Sequence, residues 1–193
     1  MAKKSGQKID MSIYTKTGDN GTTGLFGGTR VTKDSAVIDV LGNIDELNAF
    51  LGIVLNNCKK KNHILVVDIL QTVQKDLFKL GTVVANFKNP IKNQINIIDS
   101  DIKFLEKNID AVSLKLDELN NFILPGGSQT GAKIHFARSV CRRAERSLVS
   151  YKNSSSNNFV NELKYLNRLS DLLFVLARYI NKLENKAEVI WKS

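Results

Sequence analysis

The chain has little of what usually announces a function. Its 193 residues include two cysteines, two prolines, two histidines and one tryptophan, and aromatics reach only 7%. Cys58 and Cys141 are too few for a disulfide framework, and both sit in helical patterns, so a reducing compartment is the simplest setting. No His/Cys/carboxylate set has metal-ligand spacing, so no protein-held metal is expected. No nucleophile–base logic surrounds His135, which argues against a catalytic triad. Zinc spacing, an RNA-binding aromatic motif and a recognition-helix pattern are all missing, so nucleic acid is not the expected partner. No apolar run is long enough to span a bilayer. Residues 1–12 lack the apolar stretch of a secretory signal and read as a disordered tail of a cytoplasmic protein. Neither G-x-x-x-x-G-K-[ST] nor a strand followed by G-x-G-x-x-G occurs.

What is present is helical. Hydrophobic content of 42% and charged content of 24% are ordinary for a globular chain. The length fits a single domain over residues 1–193. Helical periodicity runs over about 34–58, 63–85 and 98–112, again from Ser128 or Thr130 onward, and over about 160–184. The 87–96 and 153–158 stretches read as loop and linker, and 113–121 is left open between helix and descent. The fold class is all-α, a five-helix bundle over 34–193 preceded by a Gly/Thr-rich loop at 13–33.

Net charge is +9, which calls for an anionic partner. Two stretches are candidates to meet it. In the loop, Gly18, Gly21, Gly24, Gly27 and Gly28 alternate with Thr15, Thr17, Thr22 and Thr23, and Lys16 and Lys33 bracket the run. Such a segment turns repeatedly and can present backbone N–H groups to an anion. It is too short and too poor in proline for collagen.

The second stretch starts at Phe122-Ile-Leu-Pro-Gly-Gly, a turn that no helix interior tolerates. In the helix that follows, His135, Arg138, Arg142, Glu145 and Arg146 share an arc of about 100°, with Ile134, Phe136, Ala137, Val140, Cys141, Ala144 and Leu148 opposite. Guanidinium forks at this spacing suit a polyphosphate, and a solvated basic face is the plain alternative. On the first helix Asp45 lies in a stripe of apolar and small residues. A carboxylate there is expected to be buried against another element, and to need a cationic partner such as Arg138. Asn167, Asp171 and Arg178 share one stripe of the last helix, either as a structural network or as an extension of the polar face.

Tyr14-Thr-Lys-Thr-Gly-Asp19, Gly42-Asn-Ile-Asp-Glu-Leu-Asn48, Phe122-Ile-Leu-Pro-Gly-Gly127, Ala137-Arg-x-x-Cys-Arg-Arg-Ala-Glu-Arg146 and Tyr165-Leu-Asn-Arg-Leu-Ser-Asp171 occur in this order. Together they resemble the PduO-type ATP:cob(I)alamin adenosyltransferases from about Ile13 to Lys192. The resemblance implies transfer of the 5′-deoxyadenosyl group of ATP to the cobalt of cob(I)alamin, with Mg²⁺ accompanying the nucleotide. It implies a homotrimer with ATP between subunits, a reductase supplying electrons, and a corrinoid-dependent acceptor enzyme. The implied ATP cradle is Thr15, Lys16, Thr17, Gly18, Thr23, Lys33, Arg142, Arg143, Glu145, Arg146 and Asn167. Asp45 and Arg138 match an intersubunit ion pair near the corrinoid, and Phe122 matches an aromatic closing its lower face. The rival reading is an ATP-binding regulatory bundle that transfers nothing.

Overall fold

The computed structural model describes residues 13–25, 28–86, 95–155 and 158–192. The expected tail at 1–12, most of the 87–96 loop, and parts of the glycine run and of the 153–158 linker lie outside the described residues.

The five expected helices form: α1 Ala36–Asn57, α2 Ile64–Ala85, α3 Asp99–Ser113, α4 Gln129–Ser154 and α5 Val160–Leu183. A single 3₁₀ turn, Lys61–His63, leads into α2. Residues 114–121 do not extend α3. The i, i+3/i+4 apolar positions give each helix one buried face. Val40, Leu47, Leu51 and Val54 line the inner side of α1, and Leu166, Leu169, Leu173 and Leu176 that of α5, all fully buried. Each such leucine contributes roughly 1.5–3 kcal/mol of transfer free energy. Helix α4 packs against both α1 and α5, while α2 lies on α1 and α3 on α5. Among the described residues no helix is long and apolar enough to cross a membrane.

Two short antiparallel ribbons join this frame. β1 Thr22–Gly24 pairs with β2 Arg30–Thr32, and β3 Ile123–Leu124 pairs with β4 Val189–Ile190. The second ribbon returns the C-terminal segment to the Phe122 turn, where the Trp191 N–H donates to the Phe122 carbonyl at 2.8 Å. A buried ion pair stabilises this return. Arg178, 8% exposed, donates through Nε to Glu188 at 2.6 Å and through Nη2 to the Asp117 carbonyl at 2.8 Å.

The start of α4 is fixed by one amide. Ser128 is the N-cap, its Oγ accepting from the Gly131 N–H at 3.0 Å. Asn181 of α5 reaches into the turn: its Oδ1 accepts from the Ser128 N–H and its Nδ2 donates to the Gly126 carbonyl, both at 2.9 Å. The approach is close enough to dictate glycine. A Cβ on Gly127 would lie 2.3 Å from Asn181 Nδ2, and one on Gly131 would lie 2.0 Å from its Oδ1. Gly127 also has φ +102°, a conformation that side chains disfavour.

A second polar cluster lies on the far side of the bundle. Tyr165 Oη donates to buried Asp76 at 3.1 Å, and Lys79 Nζ meets Asp76 at 2.7 Å and Asp101 at 3.0 Å. Burial pulls the Lys79 pKa down, but the two carboxylates outweigh it and leave it raised. His63 is fully buried, and both ring nitrogens lack hydrogen-bond partners. Its Nε2 stands 3.6 Å from Glu184, too far for a hydrogen bond. Burial lowers its pKa more than Glu184 raises it, so the ring is neutral at pH 7.

Two outcomes are expected. Asn181→Ala should orphan the Ser128 N–H and the Gly126 carbonyl, costing about 1–3 kcal/mol for each group left buried without a partner; urea denaturation measures it. The second outcome concerns acid. His63 and His135 both have lowered folded-state pKa values, and the chain has no other histidine. The unfolded chain therefore binds their protons first as pH falls through about 6.5, so stability drops there and recovers as pH rises. Melting curves from pH 7.5 to 5.5 should show that slope, and His63→Leu should flatten it.

Candidate functional site

The glycine-rich loop is wound by short-range bonds. Lys16 carries φ +57°, and the Asp19 N–H bonds to the Lys16 carbonyl and the Gly21 N–H to the Gly18 carbonyl, at 3.3 and 3.2 Å. Thr15 and Thr17 hydroxyls meet at 2.9 Å. Arg30 of β2 donates through Nη2 to the Thr17 carbonyl at 2.6 Å and to Thr22 Oγ1 at 2.5 Å, stapling loop to ribbon. Gly18 lets Lys33 come close, since a Cβ there would lie 3.3 Å from the ammonium. Lys16 Nζ sits 5.8 Å from the Tyr14 ring centroid. The loop thus brings two ammonium groups and two hydroxyls onto one short exposed segment.

On α4 the arginines divide into tied and untied. Arg143 is engaged by α1: its Nε donates to Asn43 Oδ1 at 2.8 Å, and its Nη2 pairs with Glu46. Arg142 and Arg146 are exposed and have no hydrogen-bond or ion-pair partner among the described residues. Glu145 accepts from Asn167 Nδ2 at 3.1 Å, and Asn167 Oδ1 accepts from Arg168 at 2.8 Å. Asn167 therefore does extend the polar face of α4. Arg178 does not; it is buried with Glu188. Asp171 is exposed, and its charge, like that of Glu145, helps to raise the Cys141 thiol pKa.

Two cavities flank these groups. One, of about 400 Å³, lies between β1, α1 and α2, with Thr23, Leu41, Asp45 and Phe78 in its wall. The other, of about 690 Å³, is lined by Phe122, His135, Arg138, Phe174 and Trp191 among others. Phe122 is 80% exposed and meets Trp191 edge-on at 6.5 Å. Arg138 lies 5.7 Å from the Phe174 ring centroid.

Four expectations need correction. Asp45 is exposed, not buried, because the space between α1 and α2 stays open around it. Within the chain it forms no ion pair with Arg138, since the two line different cavities. His135 is not on the polar face: it is 4% exposed, with its ring 5.9 Å from Phe174. Phe136, placed on the core side, is 53% exposed and touches Phe50 at the rim. For His135 and Phe136 the cause is shared. Helix α4 packs on α1 and α5 at once, so its buried arc is wider than one apolar stripe and rotated toward α5. Cys141 does lie inside, its Sγ 3.4 Å from the Leu166 carbonyl, and burial pushes its thiol pKa far up.

Neither β1 nor β2 packs substantially on α4, whose neighbours are α1 and α5. Sequence reasoning also passed over Arg30, Glu46, Phe174 and Asn181. Phe174 alone left a signal, being seven residues after Asn167 and so on the same helical stripe.

Comparison with known proteins is direct. A family described as cobalamin adenosyltransferase matches residues 13–180. The corrinoid adenosyltransferase of Bacillus subtilis (strain 168) is 41% identical over 175 residues, which is 89% of this chain and 87% of that protein. The one from Mycobacterium leprae is 40% identical over 189 residues, 93% of this chain and 95% of the relative. Among solved structures, a variant PduO-type ATP:corrinoid adenosyltransferase from Lactobacillus reuteri, complexed with cobalamin and ATP, superposes with a TM-score of 0.85. It shares 30% identity and covers 94% of this chain and all (100%) of that one. With the match spanning loop, Phe122 turn, α4 and most of α5, this chain belongs to the cobalamin adenosyltransferase family.

Proposed function

We infer that this chain transfers the 5′-deoxyadenosyl group of ATP to the cobalt of cob(I)alamin, giving adenosylcobalamin and triphosphate. The observation that carries the reading is the pair of unengaged guanidinium groups, Arg142 and Arg146, one and two turns beyond an aromatic-walled cavity bounded by Arg138. Cobalt(I) supplies the electron pair that forms the bond to C5′, and the C5′–O bond breaks with its electrons leaving on triphosphate. The substrate is itself the nucleophile, so the protein needs no triad. Its task is to hold a polyanion as it departs, to place C5′ against the metal and to keep water out.

In this proposal Arg142 and Arg146 grip phosphate oxygens, with Glu145 and Asn167 locked together beside them. Thr15, Lys16, Thr17, Gly18, Thr23 and Lys33 close the cradle from the loop. Arg143 joins only by exchanging Glu46 for phosphate. Phe122 meets the lower face of the corrin. Magnesium fits as a companion of the nucleotide: among the described residues no three His, Cys, Asp or Glu gather to hold a metal, so phosphate oxygens would be its main ligands, with Glu145 the carboxylate on that face. When bound, it neutralises charge on the leaving triphosphate.

The loop and the α4 arginines stand apart within one chain, as do Asp45 and Arg138. A homotrimer that seats ATP between neighbouring copies, with Asp45 of one facing Arg138 of the next, accounts for both separations. A reductase delivering cob(I)alamin and a corrinoid-dependent enzyme taking the product complete the proposal. Two free, buried cysteines support a cytoplasmic setting.

An anaerobic assay with ATP and cob(I)alamin, followed by the absorbance change of Co–C bond formation, tests the reading. ATP binding without that change would favour the regulatory bundle. Arg142→Ala should lower kcat on the order of 10²–10³-fold with an unaltered helical circular dichroism spectrum, and near-normal turnover would remove Arg142 from the site. Asp45→Asn and Arg138→Gln chains should each handle corrinoid poorly alone. Refolded together, they should recover activity, because a mixed interface restores one intact Asp45–Arg138 pair; no recovery would place the two residues in separate roles.

A further inference from the structure

His135 is the residue of the Phe122 cavity that the proposed chemistry leaves unused. It is 4% exposed, and its Nε2 is buried with no hydrogen-bond partner. Among the described residues it is the one side chain of that cavity with such an atom. A buried polar atom of this kind is destabilising unless something bonds to it. The ring is held by its neighbours: Phe174 meets it edge-on at 5.9 Å, and the Arg138 guanidinium covers the same Phe174 ring at 5.7 Å. The charged groups facing it are Arg138 from its own helix and Glu188 from the C-terminal segment. Burial lowers its pKa most, Arg138 lowers it further and Glu188 opposes, so the imidazole is neutral at pH 7.

Asn120, Asn121 and Arg138 also line the cavity, but none of them holds a buried atom left without a partner, and the aromatic part of the wall is suited to grip a flat macrocycle without fixing its rotation. Phe122, Phe174 and Trp191 offer ring faces and edges, which bind without regard to angle. A corrin carries amide side chains around its rim, and a single directional bond to one of them would fix the angle.

We propose that His135 is a positioning residue for the corrinoid, its Nε2 forming a hydrogen bond to a rim amide and so setting the rotation of the ring over Phe122. The inference rests on the corrinoid reading given above. It predicts a defect confined to the corrinoid substrate, since no loop or phosphate-facing group touches His135.

Trp191 is the chain's one tryptophan and stands in the cavity wall, so quenching of its emission reports corrinoid binding directly. Cob(II)alamin is titrated into wild type, His135→Leu and His135→Gln under anaerobic conditions with saturating ATP, and ATP affinity is measured separately by calorimetry. The expected result is a Kd for cob(II)alamin about tenfold weaker in His135→Leu, the scale of one hydrogen bond. Recovery to within about threefold of wild type is expected in His135→Gln, with ATP affinity unchanged throughout. Wild-type corrinoid affinity in His135→Leu, parallel loss of ATP affinity, or a glutamine variant as weak as leucine would overturn the proposal. His135→Met replaces leucine should the leucine variant melt early, and is judged by the same values. A wild-type protein that shows no quenching by cob(II)alamin would sink the corrinoid reading itself, whereas normal quenching with an indifferent His135→Leu sinks only the role of His135.

Discussion

The site depends on one amide side chain. Asn181 enters from α5 and bonds to both sides of the turn that launches α4. It fixes the direction in which the helix leaves the Phe122 strand. Every group on α4 then inherits its position from that start, since a helix adds 1.5 Å and 100° per residue without further choice. The glycines at 127 and 131 are needed because no Cβ fits beside this amide. The Pro-Gly-Gly turn is thus a packing joint between α4 and α5.

Charge is sorted by whether a partner is built in. Arg143, Arg178, Lys79 and Arg168 each meet carboxylates from another element, and they hold helices and segments together. Among the described residues Arg142, Arg146, Lys16 and Lys33 have no such carboxylate. Exposed pairs contribute little to stability, so the tied residues matter for geometry more than for energy. The buried Arg178–Glu188 pair and the Lys79–Asp76–Asp101 cluster are the exceptions, because removing a partner would leave a charge stranded away from water.

Much of this was legible in the residues. The five helices followed from apolar periodicity to within about two residues at the bounds that could be read, as amphipathic order is a local property. The Ser128 cap and the Pro-Gly-Gly break were local too. The failures all involve contacts distant in sequence. Asp45 looked buried because its helix neighbours are apolar, yet α1 and α2 leave a cavity there. His135 looked polar-facing because it stands among arginines, yet α5 covers it. The return of Val189–Ile190 to Ile123–Leu124 and the Arg30 staple rest on pairings too short to leave a pattern. The catalytic assignments were legible only through resemblance; the spacing of Arg138, Arg142 and Arg146 by itself fits any polyanion.

The buried thiol next to Arg142 carries a consequence of its own. In the proposed reaction a carbon electrophile and a strongly reducing metal meet beside this helix, and a cysteine thiolate would be a rival for both. It could take the adenosyl group onto sulfur or ligate oxidised cobalt. Cys141 can do neither, since the core keeps its proton on and α5 covers it. Packing here serves as chemical insulation: the sulfur on the helix proposed to hold the phosphates is silenced by burial.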